Sequence, residues 1–287
     1  MKRQLKFTNS RGESITFNSV GSPFGANNIT GLGDVDADIQ TQTSPYQDGS
    51  TLIDVVLNPR PISFDSVIFG TGDTDISNKR KRLSKVFNPK LGEGVLELRY
   101  GDNVFMIKAV AEHVPTFGTG FQNRGRRHQV ALIDLICPNP YWEEVISTVV
   151  KLEDFVSNFR FPFRFPVRFA SRGDVKVIVN EGHVNTSIVA EFRGEMDNPK
   201  ITNQTTGEFI KVNQSIPPDH KLIIKTSADE MSVDIVGPDG ETQDVFGHID
   251  LDSTFIKLVV GENKLSFLTE GGKPEVYIKY KNKFIGV

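Results

Sequence analysis

The sequence predicts an all-β protein, mainly antiparallel, with one short helix and two β-sandwich-like domains. Three observations carry that reading. Apolar and polar residues alternate with period two through most of the chain, the pattern of a strand with one buried face. Gly, Pro, Asn or Asp interrupts the alternation at short intervals, as antiparallel turns require. A first series of strands ends at CPNPYWEE, where Pro138 and Pro140 forbid a continued strand, and a second follows. At roughly 150 residues per domain, a chain of 287 also suggests about two domains, each able to bury a core.

The first series opens with a hairpin, in which Gln4–Asn9 and Ser14–Asn18 alternate on either side of Ser10-Arg11-Gly12-Glu13. Strands are then expected over Asp34–Thr43, Thr51–Leu57, Ile62–Phe69, Gly94–Tyr100, Val104–Ala111 and His128–Cys137. One segment, DISNKRKRLSKVFNPK, changes period. Ile76, Leu83, Val86 and Phe87 follow helical spacing, Asp75 suits an N-cap, and Asn88-Pro89 stops the element. Its other face carries Lys79, Arg80, Lys81, Arg82 and Lys85. Such a face either grips phosphates or is simply solvated, and the second is the ordinary case.

After CPNPYWEE comes RFPFRFPVRF. Alternation puts Phe161, Phe163, Phe165, Val167 and Phe169 on one face and Arg160, Arg164 and Arg168 on the other. Pro162 and Pro166 lack amide donors, so the run cannot sit inside a sheet. It reads as a linker strand packing Phe161, Phe163 and Phe165 on the following domain, rather than as a platform for nucleic-acid bases. A second series follows: Asp174–Asn180, Ser187–Arg193, Glu208–Val212, Lys221–Thr226, Ser232–Val236, Thr254–Val260, Lys264–Leu268 and Glu275–Phe284. Strands this short and even point to an antiparallel sandwich. The expected organisation is a first domain over 1–150, a linker over 151–172 and a second domain over 173–287.

Composition excludes several classes. A net charge of −3 argues against a general nucleic-acid binder. One cysteine, Cys137, excludes an internal disulfide and a multi-cysteine zinc cage; at the end of ALIDLIC it reads as a small core residue. The start MKRQLKFTNS lacks the apolar run of a secretory leader, and no window approaches the ~20 apolar residues of a membrane helix. The expectation is a chain folded in a cytoplasm, away from membranes.

Chemistry is sparse. His113, His128, His183, His220 and His248 form no metal-spaced pair, and no zincin helix, nucleophile elbow or phosphate-binding glycine loop is present. No enzyme, cofactor or metal is expected. In GDVDADIQ, Asp34, Asp36 and Asp38 share the opening spacing of a calcium loop, but Ile39 replaces its glycine and Pro45 its final glutamate. Alternating with Val35, Ala37 and Ile39, they read as the carboxylate stripe of a half-buried strand. A carbohydrate-binding β-sandwich is the alternative functional class. One Trp and five Tyr against 21 Phe favour core aromatics over sugar-stacking ones.

Taken in order, several segments resemble the distal tail (Dit) proteins of siphophages. They are KFTNSRGESITF, ITGLGDVDADIQTQTSPYQDGS, LNPRPISFDSVIFG, the basic helix, FNPKLGEGVLELRYGDNVFMIKA, DLICPNPYWEE and the FPFRFP linker, then NQTTGEFIKV, GENKLSFLTEGG and KYKNKFIGV. The likeness spans nearly the whole chain. It implies a homohexameric ring built by the N-terminal domains, with galectin-like C-terminal sandwiches projecting outward. It also implies partners: the major tail tube protein, the tail-associated lysin or hub protein, and a receptor-binding protein. DNA passes through the ring without specific binding, and Asp34, Asp36 and Asp38 are expected to face that channel. Lys79, Arg80, Arg82 and Lys85 are expected to form an interaction face. The implied location is the virion tail tip, assembled in the bacterial host cytoplasm. Some relatives carry an inserted carbohydrate module, for which the gaps between strands here are too short.

Overall fold

The computed structural model describes residues 3–152 and 175–287. They form two compact units, Met1–Val145 with Phe284–Val287, and Ile146–Lys283. The linker residues Phe161, Phe163 and Phe165 lie outside the described residues.

The first unit contains β1 (Gln4–Thr8), β2 (Ser14–Phe17), β3 (Phe24–Thr30), β4 (Ala37–Gln42), β5 (Thr51–Leu57), β6 (Arg60–Phe69), α1 (Asp73–Val86), β7 (Gly94–Tyr100), β8 (Asn103–Ala111), β9 (Thr116–Phe117), β10 (His128–Cys137) and β11 (Trp142–Glu144). Its main sheet runs β2-β1-β7-β8-β10-β6-β3, antiparallel throughout. Most of β8 pairs with β7, whereas Val110 and Ala111 at its end pair with β10, so this strand joins the two halves of the sheet. The two end strands meet again at Asn18. Its backbone N–H donates to Phe24 O at 3.0 Å, and its side-chain oxygen accepts from Ala26 N at 2.9 Å. The sheet thus curls round a single core.

Period two fills that core: Leu5 and Phe7, Ile15 and Phe17, Ile62, Phe64 and Ile68, Ile133 and Leu135 all point inward. Helix α1 covers it with Ile76, Leu83 and Val86, and Phe87 stacks on Phe7 at 4.6 Å between ring centroids. Cys137 is fully buried, and burial pushes its thiol up to about 12. The helix starts three residues earlier than the sequence suggests. Gly72 is its N-cap, and Asp75 lies inside the first turn, where it accepts from Thr71 N at 2.9 Å and pairs with Lys79 at 2.7 Å. Strand β3 was hidden in the sequence, because Gly25, Asn27 and Asn28 read as turn residues. Asn28, at φ 51, lies where the register with β6 shifts, and there those residues are useful.

The second unit contains β12 (Thr148–Leu152), β13 (Lys176–Asn180), β14 (Thr186–Arg193), β15 (Met196–Asp197), β16 (Lys200–Asn203), β17 (Phe209–Lys211), β18 (Ser215–Ile216), β19 (Lys221–Lys225), β20 (Ser232–Val236), β21 (Thr242–Asp244), β22 (Lys257–Leu258), β23 (Gly261–Leu268), β24 (Gly271–Gly272) and β25 (Glu275–Tyr280). One sheet runs β12-β25-β14-β19-β20-β21 and a second β13-β23-β16-β17. Phe192, Leu222, Ile224, Ile235, Leu265, Phe267 and Ile278 belong to the core they share. The expected strand Thr254–Val260 shrinks to β22, because buried Asn263 accepts from Val259 N at 2.9 Å and turns the chain there.

Candidate interaction site: an exposed arm on a buried arginine

Among the described residues, strands β4 and β5 pair only with each other. All of β4 is exposed, and so is β5 up to Val56. This corrects the sequence reading. The strand begins at Ala37, so Asp34 and Asp36 precede it, and Ala37 and Ile39 are not buried. The Asp34 carboxylate turns back to accept from Gly31 N at 3.2 Å. Asp34, Asp36 and Asp38 therefore do not make one stripe on one strand.

Register still sorts the arm into two faces, because directly opposed residues share a side. Ala37 faces Leu57, Ile39 faces Val55 and Thr41 faces Leu52, which makes one face largely apolar. Asp38 faces Val56, Gln40 faces Asp54 and Gln42 faces Thr51, which makes the other polar and acidic. The register shifts between Gln40 and Thr41, leaving Ile53 as the extra residue and keeping Leu52 on the apolar side. The apolar face is in water, with Ile39 62% and Leu52 59% exposed.

The root of the arm is held from beneath. Arg60, fully buried, donates from Nε to Pro140 O at 2.8 Å, and from Nη1 to Gly31 O at 2.8 Å and Asp34 O at 2.7 Å. Its Nη2 donates to Ile285 O in the C-terminal residues of the same unit. Buried Trp142 donates from Nε1 to Leu32 O at 3.0 Å. Gly31, at φ 82, lies so close to Pro61 that a Cβ there would sit 2.0 Å from its carbonyl oxygen. Sequence reasoning passed over Arg60; its signal was an arginine between prolines in NPRPIS.

The basic face of α1 is largely engaged within the unit. Lys79 also donates to Phe69 O at 2.8 Å, and the Arg80 guanidinium lies 4.3 Å from the centroid of the Phe117 ring. Arg82 donates to Ser14 O at 3.2 Å, and Lys85 pairs with Glu13. These side chains fasten the helix to its surroundings. Among the described residues no group of three or more His, Cys, Asp or Glu can hold a metal, and no helix is long and apolar enough to cross a membrane.

Two family models cover most of the chain. Residues 10–163 match the phage tail protein RIFT-related domain, and residues 181–284 match the C-terminal domain of siphovirus-type tail components. The chain belongs to the siphophage distal tail protein family. The Dit fold is borne out by solved structures. The Dit protein of phage SPP1, described as a paradigm of the hub adsorption apparatus in Gram-positive-infecting phages, matches at TM-score 0.71 and 14% identity, over 98% of this chain and 99% of that one. A chain of the phage p2 baseplate in its activated conformation with Sr matches at TM-score 0.59 and 11% identity, over 100% of both chains. The same baseplate with Ca matches at TM-score 0.57 and 12% identity, again over 100% of both chains. No curated protein sequence matches. A Dit protein is a structural component of the virion tail and not an enzyme, as the absence of a catalytic motif in the sequence led us to expect.

Proposed function

We propose that six copies of this chain close into a ring through their first units and that the ring is the hub of the tail tip. It joins the tail tube protein to the tail-associated lysin and the adsorption apparatus, and DNA passes through its opening. Assembly takes place in the host cytoplasm. The observation that carries this reading is the arm. A two-stranded hairpin alone in water is marginal at best, and exposed apolar patches mark interaction sites. An arm with one apolar face, braced at its root by a buried arginine, is a part built to be covered. Closed rings use two different patches on each copy, and a projecting arm is one half of such a contact. Mass photometry of the full chain across a concentration series, with negative-stain images, tests the reading. Six-membered rings are expected. A chain that stays monomeric at every concentration, and is absent from the tail tip of the particle, would sink it.

A further inference from the structure

Opposite charges are segregated along the first unit. Between Arg11 and Arg60 the chain has no lysine or arginine, and the arm and its root carry Asp34, Asp36, Asp38, Asp48 and Asp54. Between Glu112 and Asp134 it has no carboxylate, and the loop from Gly118 to Arg127 carries Arg124, Arg126 and Arg127, all exposed. None of these arginines, and neither Asp38 nor Asp54, enters an ion pair among the described residues.

The loop is held in shape. The side-chain amide of Gln129, buried, donates to Gly118 O at 2.9 Å, Asn123 O at 3.0 Å and Val130 O at 2.9 Å. Arg124 forms a bridge with Gln129, and a Cβ on Gly125 would come within 2.3 Å of the His128 ring. Beside the loop lies an apolar strip. The register pairs Phe69 with His128, Val67 with Val130 and Asp65 with Leu132, so Val67, Phe69, Val130 and Leu132 share the outer face of β6 and β10. Phe69 and Leu132 are exposed and the two valines half-buried. At the loop's own tip Phe121 is 96% exposed.

We infer that the arm of one copy docks on this surface of the next copy. The apolar face of the arm rests on the strip of Val67, Phe69, Val130 and Leu132. Arg124, Arg126 and Arg127 reach round its rim to Asp38 and Asp54. The inference rests on the ring reading and names its two complementary patches. The occupant is a second copy because the arm supplies what the surface lacks, an apolar face backed by carboxylates. Contacts of this kind set register and exclude wrong partners, and they weaken with salt.

Charge exchange in the full chain tests it. One variant carries Asp38→Arg with Asp54→Arg, a second Arg124→Glu with Arg126→Glu and Arg127→Glu, and a third carries both sets. The first two should each associate at least about tenfold more weakly than the wild type. Mixing them in equal amounts should restore rings in which the two kinds alternate, since each arm then meets an opposite loop. The third should form rings alone. Unchanged Trp142 fluorescence shows that the variants are folded; for one that is not, Asp38→Asn with Asp54→Asn and Arg→Gln at the loop serve instead, each loosening the rings relative to the wild type more at low salt than at high. Rings in the wild type that survive either reversal unchanged, or reversed chains that do not recover on mixing, overturn the pairing and leave the ring itself standing. A wild type that never associates overturns the ring reading instead.

Discussion

A guanidinium taken out of water must find acceptors for its N–H groups, and Arg60 finds them in four backbone carbonyls rather than in a carboxylate. Those carbonyls come from the root of the arm, from the turn before β11 and from the C-terminal residues, so one side chain sets their spacing. Arg60→Met leaves the carbonyls buried and unpaired, and should cost the first unit about 3 kcal/mol or more. Arg60→Lys restores only part, because a single ammonium cannot serve carbonyls in four directions. Trp142, the one tryptophan, lies in this unit, so its fluorescence during denaturation reads the loss. A change below about 1 kcal/mol would refute the role. In the second unit the corresponding test is pH. Burial raises the pKa of Glu191, but Lys279 Nζ at 2.5 Å and Arg193 Nε at 2.7 Å more than offset this and hold the carboxyl below its ordinary value. A depressed folded pKa contributes stability that is present above the unfolded value and lost as pH falls through the folded one. Melting of the wild type should therefore drop on acidification through the carboxylate range, more steeply than that of Glu191→Gln; parallel profiles would contradict the assignment.

At the scale of elements, the arm separates two properties that usually travel together, strand pattern and burial. The alternation in ADIQTQ and TLIDVVL is real, and it does form a hairpin, but no layer of the unit covers its apolar side. Ile39 and Leu52 contribute little to a monomer. Replacing both by Ser should leave the melt of the full chain within about 0.5 kcal/mol of the wild type, as surface changes do. The same change should abolish association measured by light scattering. Equal loss of stability and association would mean that the arm is part of the core after all. Helix α1 shows the opposite case. Its cations read as a free basic face, yet Lys79, Arg80, Arg82 and Lys85 each have a partner within the unit.

For the whole molecule, the second unit offers the rival reading of sugar binding. On the exposed face of its larger sheet the Tyr277 ring is already capped by the Arg193 guanidinium, 4.6 Å from its centroid, and Glu191 is occupied by two cations. A sugar would have to displace both. A glycan array probed with the full chain should show no saturable, competable signal, and a clear competable hit would promote the carbohydrate-binding reading.

Period two and turn spacing determined the all-β class, the N-terminal hairpin and most strands of both units, and the one change of period determined the helix, because each depends on residues close in sequence. The same local rules misplaced the start of β4 and missed β3, where asparagines and a glycine serve a register shift rather than a turn. They could not see that Arg60 joins Gly31, Pro140 and Ile285, since those meet only when the chain has closed on itself. Nor could they tell which apolar face stays in water. Burial depends on what lies opposite a face, and for the arm nothing in its own unit does; only the tertiary structure decides that.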